Sequence, residues 1–199
     1  MRAWSFLLVL FFWVPRALAA DAPQGAPATH YWYDGTTRRA LWLDGDAVME
    51  FAPDSRGESA MLRAYAKASV EPVSQKLHGV RLWRLNGSRD AASAMKALRV
   101  SYGAKRFSPV LRDAPEGRRV RALPGNVVVG LDAQWTEDEA RRWLERRNLT
   151  VVRRLEFAPN TFLVSTGAGF EALEMANRLF ESGEVKASYP DWWHEVHTR

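Results

Sequence analysis

The chain has 199 residues, of which 47% are apolar, 26% charged and 12% aromatic. That is room for one globular domain or two small ones, and it excludes a disordered or fibrous chain. There is no cysteine, which excludes disulfide frameworks, thiolate metal sites, cysteine nucleophiles and lipid attachment through an N-terminal Cys. The formal net charge is +5, and 23 of the 28 basic residues are Arg.

Residues 1–20 read as a signal peptide, with Arg2 as the basic start, an uncharged run over 3–14 and small residues at Ala17, Ala19 and Ala20. The run is too short to span a bilayer. Export to a periplasmic or extracellular location is the expectation, with no membrane association after cleavage. Loss of Arg2 and Arg16 leaves 26 basic against 23 acidic residues, a charge of +3. The Arg pairs at 38–39, 118–119, 141–142, 146–147 and 153–154 are scattered, as solvated faces are. Nucleic acid is therefore not an expected partner.

Residues 21–45 form a leader and an N-terminal hairpin. Tyr31-Trp32-Tyr33 is followed by the hairpin signal Asp34-Gly35, and Asp44-Gly45-Asp46 marks a second turn. A first unit covers 46–113. Its elements are a strand over 48–51, a helix over 58–68 with Met61, Leu62 and Tyr65 inward, and strands over 70–77 and 80–85 parted by His78-Gly79. A helix over 91–102 follows, with Ala91, Met95, Leu98 and Tyr102 on one stripe and Gly103 at its end. A strand over 105–110, broken by Pro109, closes the unit. Residues 114–125 are an exposed basic linker.

A second unit, 126–190, repeats the plan more clearly. NVVVGLD (126–132) is a strand. Thr136 and Glu139 form a capping box, stapled by Trp135 onto Ala140, for a helix reaching Arg147. Strands over 150–157 and 161–165 flank the turn Ala158-Pro159-Asn160. The helix over 170–182 carries Leu173, Ala176, Leu179 and Phe180 on one stripe and stops at Gly183. A strand over 185–189 ends at Pro190, and 191–199 is a tail. The first strand and the closing Pro are similarly spaced in the two units, Val48 to Pro109 and Val127 to Pro190. The expected fold class is α+β: two tandem ferredoxin-like (βαββαβ) units, antiparallel sheets with helices on one face. The face of the second sheet without helices is a natural docking surface.

No catalytic constellation emerges. Asp191, His194, Glu195 and His197 cluster near the C-terminus, but nothing preorganises them, so no metal site is expected. Gly-x-Ser-x-Gly, His-Glu-x-x-His and phosphate-loop patterns are absent. Gly167-Ala168-Gly169 reads as a tight turn. The chain reads as a binder that needs no cofactor, not an enzyme.

The stretches NVVVGLDAQWTEDEARRWLERRNLTVVRRL and NTFLVSTGAGFEALEMANRLFESGEVKASYPDWWHE resemble propeptides of subtilisin-like serine proteases, in particular the fervidolysin-like prodomain. RFSPVLRD, GRRVRALPGNVVVG and HYWYDGTTRRALWLD extend the resemblance over roughly residues 30–195. Nine residues follow Pro190 and no catalytic blocks do, so the resemblance implies a stand-alone external chaperone of a secreted subtilase. It implies a subtilisin-like serine protease as partner, folded with the help of the sheet face and inhibited by the tail in its substrate cleft. The implied partner-binding residues are Glu156, capping helices of the enzyme, with Tyr189, Trp192, Trp193, Val196, Thr198 and Arg199. With Arg199 product-like at the catalytic Ser, Val196 falls at the fourth position before the cut. The alternatives are a secreted structural or protein-interaction module, or a truncated N-terminal fragment of a subtilase.

Overall fold

The computed structural model describes residues 28–65, 72–77, 79–85, 91–102 and 106–194. The expected signal peptide, most of the leader, His78, Gly103 and the end of the tail lie outside the described residues. Among the described residues the fold is α+β, with four helices and two antiparallel sheets.

Strands β1 (His30–Asp34) and β2 (Thr37–Phe51) form the N-terminal hairpin. Asp34 pairs with Thr37, and Gly35 takes φ 59° at the first loop position, where this tight turn needs a residue without a Cβ. The second turn expected at Asp44-Gly45-Asp46 is absent, because β2 runs straight through it. Those residues form a bulge: β2 advances from Leu43 to Val48 while its partner retreats only from Leu111 to Pro109. Asp44 turns inward there and is held by Arg112 and by Arg84 at 3.3 Å.

Helix α1 (Ser55–Tyr65), β3 (Pro72–Leu77), β4 (Val80–Leu85), α2 (Ala91–Tyr102) and β5 (Phe107–Arg112) complete the first unit. Helix α1 begins earlier than the apolar pattern implies. The Asp54 carboxylate accepts the N–H of Gly57 at 2.8 Å, so the cap stands ahead of the apolar stripe. Leu62, expected inward, is 45% exposed, and Met61, Ala60 and Tyr65 fill the interface instead. Pro109 does not break β5 but sits inside it, opposite Val48 at the bulge, where a missing N–H is tolerated.

The presumed linker is also partly structured. Strand β6 (Val120–Ala122) pairs with β5, and Val120, Ala122 and Leu123 are buried. Strand β7 (Val127–Gly130), α3 (Glu137–Arg146), β8 (Val151–Leu155), β9 (Thr161–Val164), α4 (Phe170–Glu181) and β10 (Ala187–Pro190) form the second unit. A last strand, β11 (Trp193–His194), returns to the first sheet. The capping box at α3 is formed in both directions: Thr136 N–H donates to Glu139 at 2.7 Å, and Glu139 N–H donates to the Thr136 hydroxyl at 3.3 Å. Gly183 ends α4 at φ 72°.

The first sheet runs β11-β6-β5-β2-β4-β3 with β1 added on β2, and the second runs β10-β7-β9-β8. Within each unit the closing strand therefore neighbours the opening one, and the third strand separates the first from the second. Alternation along β2 sorts its side chains: Val48 packs under α1 and α2, while Ala47 and Met49 join the opposite face.

The largest core joins the two units. Leu41, Leu111 and Leu123 pack with Val127, Val129, Trp143, Leu144, Phe162 and Leu173. Gly169 touches β5 so closely that an added Cβ would lie 2.9 Å from the Pro109 ring. Gly167-Ala168-Gly169 is thus a packing turn against the first unit. Arg99 of α2 pairs with Glu171 of α4 across the same seam.

Candidate functional site

The second sheet has two unlike faces. Val127 and Val129 look toward α3 and α4 and belong to the large core. Val128, Leu163 and Leu155 point the other way and form a small buried cluster, each 6–7% exposed, with half-buried Tyr189 packed against it. Every member of that cluster comes from the sheet itself or from the end of β8. Tyr189 stands opposite Val128, Val128 opposite Leu163, and Leu163 opposite Arg153, so the row crosses the whole sheet. Tyr189 is half-buried; burial, and then the charge of Asp191, push its phenol up from the ordinary tyrosine range.

The turn after β8 follows directly on Leu155 of this cluster. Glu156 is exposed there, and Phe157 beside it is 70% exposed. Strand β8 is the sheet edge, with Val152 51% exposed at a register shift between Val151 and Arg153. Sequence reading singled out Glu156 and passed over Phe157, which it placed inside a strand. A strand one turn shorter would have left this phenylalanine outside the sheet.

The tail is not one piece. Trp192 meets Trp32 edge to face with ring centroids 5.4 Å apart. The Arg121 guanidinium carbon lies 5.5 Å from the Trp32 ring and 5.4 Å from the Trp192 ring. Asp113 holds that guanidinium through two hydrogen bonds, at 2.7 and 3.1 Å. Trp193 pairs with Ala122 in β11 and packs on the apolar face of the first sheet. The two tryptophans expected on a partner are therefore engaged with the protein's own hairpin and β6. The apolar bulk of an indole explains it: a half-buried Trp gains more from a neighbouring core than from solvent. Val196, Thr198 and Arg199 lie outside the described residues, as do Glu195 and His197. The structure thus brings Tyr189 and Glu156 to one sheet and takes Trp192 and Trp193 to the other unit.

One polar cluster escaped sequence reading. Glu50 is completely buried under α1. Its carboxylate accepts the Trp83 indole N–H at 2.9 Å and two Arg106 N–H groups at 2.8 and 3.2 Å, with Arg81 at 3.7 Å. Arg106 also binds Asp54, and that contact, with the Gly57 N–H, holds the Asp54 carboxyl well below the usual carboxylate range. The Glu50 site is saturated with donors and locks α1 onto the sheet. Gly57 is part of it, since a Cβ there would stand 1.6 Å from Glu50 Oε1. A lone Glu at an apolar strand position, followed by Gly in the next helix, was the available signal. Among the described residues, no group of three or more His, Asp or Glu side chains is arranged to hold a metal ion.

No protein-family model matches the sequence, and no curated protein matches it.

Proposed function

We propose that the chain is an exported binding protein, not an enzyme, made of two tandem ferredoxin-like units, and that it assists folding of and inhibits a subtilisin-like serine protease. Two features support the tandem units: the strand, helix, strand, strand, helix, strand order in both halves, and the common strand arrangement of β5-β2-β4-β3 and β10-β7-β9-β8. The observation that carries the function is the turn after β8, where Phe157 is 70% exposed beside exposed Glu156. It lies next to the helix-free sheet face, on which Val128, Leu155 and Leu163 are buried and Tyr189 is half-buried. An exposed aromatic ring beside a carboxylate suits a protein surface that presents helix N-termini, whose positive ends favour an acidic neighbour. Residues 195–199, following a strand that fixes 193 and 194, are the segment proposed to enter the substrate cleft.

The experiment is a pair of assays with one subtilase, secreted subtilisin. Its inhibition constant and its yield on refolding are measured with the full chain present. Wild type is expected to lower activity and raise the yield. Deleting 195–199 is expected to weaken inhibition at least tenfold, about 1.4 kcal/mol, and to leave the refolding yield intact. A chain that does neither would remove the protease reading.

A second reading, a structural or protein-interaction module, is favoured by one observation. Trp192 and Trp193 serve the internal packing of the tail. On that reading the sheet face binds a partner that is not a protease, and the tail is only a clasp.

A further inference from the structure

We propose that the outer edge of β2 at Arg38 and Ala40 is a docking slot for an extended peptide carrying a carboxylate side chain opposite Arg38. This goes beyond the protease reading and rests on a different surface.

The first observation is the backbone. Residues 37–41 pair with β1 on one side only, and β5 reaches β2 no further than Trp42, opposite Arg112. The Leu41 carbonyl accepts from Thr29 N–H, on the β1 side. Backbone groups alternate along a strand, so those of Arg38 and Ala40 face away from β1. Among the described residues no strand pairs with them there. An extended peptide adds to such an edge through its main chain.

The second is a groove of about 500 Å³ along this edge, lined by Trp32, Trp42, Arg38, Arg39, Asp113 and Arg121. Its charges are unequal. Arg121 is held by Asp113, and Arg39 lies 3.4 Å from Asp34. Arg38 instead lies 3.8 Å above the Tyr31 ring, and among the described residues no carboxylate forms an ion pair with it, Glu181 being engaged by the Tyr31 and Tyr33 hydroxyls at 2.8 and 3.1 Å. A residue paired beside Arg38 would put its side chain on the same face, so Asp or Glu is the match there. The aromatic walls suit β-branched neighbours on the incoming strand.

The probe is fluorescein-labelled acetyl-Thr-Val-Glu-Val-Thr-amide, titrated into the full chain beside its counterpart with Lys for Glu. The Glu peptide is expected to bind at least tenfold more tightly than the Lys peptide. Ala40→Pro removes the outward N–H at an edge position where proline is tolerated. It is expected to weaken binding at least tenfold without shifting the thermal midpoint. Arg38→Glu, an exposed change, is expected to invert the Glu-over-Lys preference, and it decides the matter should Ala40→Pro fail to fold. Equal affinity for the two peptides, or no saturation by about 1 mM, near 4 kcal/mol, would overturn the proposal. So would a dimer of this chain that Arg38→Glu dissociates, because the slot would then belong to a second copy.

Discussion

Trp32 and Trp192 meet edge to face, ring centroids 5.4 Å apart and planes at 73°, so the last described residues are fastened to the first hairpin. Arg121 closes the arrangement over both rings, and Asp113 holds Arg121. The N-terminal hairpin, the segment between the units and the tail thus stabilise one another. Aromatic pairs of this kind contribute about 0.5–1.5 kcal/mol beyond area burial. Trp192→Ala is expected to cost about 2–3 kcal/mol in urea unfolding, and Arg121→Ala to show coupling with it of about 1 kcal/mol in a double-mutant cycle. Additive single effects would mean that the tail is not clasped by Arg121.

Gly57→Ala puts a methyl carbon into space held by Glu50 Oε1 and the Arg106 guanidinium, 1.6 and 2.4 Å away. Either the buried ion pair parts or α1 lifts. Breaking a buried pair costs about 3–5 kcal/mol, and Gly57→Ala and Glu50→Gln are both expected to fall in that range. Matching losses in denaturant midpoint check it. A Gly57→Ala that stabilises by up to about 1 kcal/mol, as helix propensity alone predicts, or that is neutral, would contradict the role of Glu50.

Asp54 gives a pH dependence with a definite sign. Hydrogen bonds from Arg106 and from the Gly57 N–H, opposed by burial and helped by Arg56, hold its carboxyl well below the usual range in the folded state. A depressed folded pKa contributes stability above the unfolded value of about 3.9, and that contribution is lost as pH falls below it. Wild type is therefore expected to be more stable than Asp54→Asn at neutral pH. The gap should close progressively below about pH 4. A gap constant from neutral pH to about pH 3 would show that Asp54 stabilises by packing alone.

Limited trypsin digestion separates a free linker from one that ends in a strand. Arg118 and Arg119 are exposed, whereas Arg121 is stacked, ion-paired and placed in β6 opposite Leu111. Among these three, cleavage is expected after Arg118 or Arg119 first, with Arg121 resistant while the fold lasts. Mass spectrometry of the earliest fragments checks the order.

Local chemistry made the second unit readable. Thr136 and Glu139 advertise a helix start three residues apart, and Gly183 its end, because caps are satisfied by neighbours in sequence. The bulge at Asp44-Gly45-Asp46 has the composition of a turn. Only distant Arg84 and Arg112, which draw Asp44 inward, distinguish it. Strand β6 is three residues in a Gly- and Pro-flanked run, and its partner β5 decides its state. That the second sheet has one face without helices followed from the order of its elements, which puts both helices on the same side. Phe157 was misread because β8 stops at Leu155, two residues earlier than its apolar run.

The central claim is that the face of the second sheet binds a subtilisin-like protease. The most direct measurement is equilibrium binding of the full chain to immobilised, active-site-blocked subtilisin, which removes the substrate cleft from the contact. Wild type should bind, and Phe157→Ala combined with Glu156→Ala, both exposed, should weaken it at least tenfold, about 1.4 kcal/mol, with the thermal midpoint nearly unchanged. Binding that the double substitution leaves unaltered, or no binding by wild type, would contradict the account.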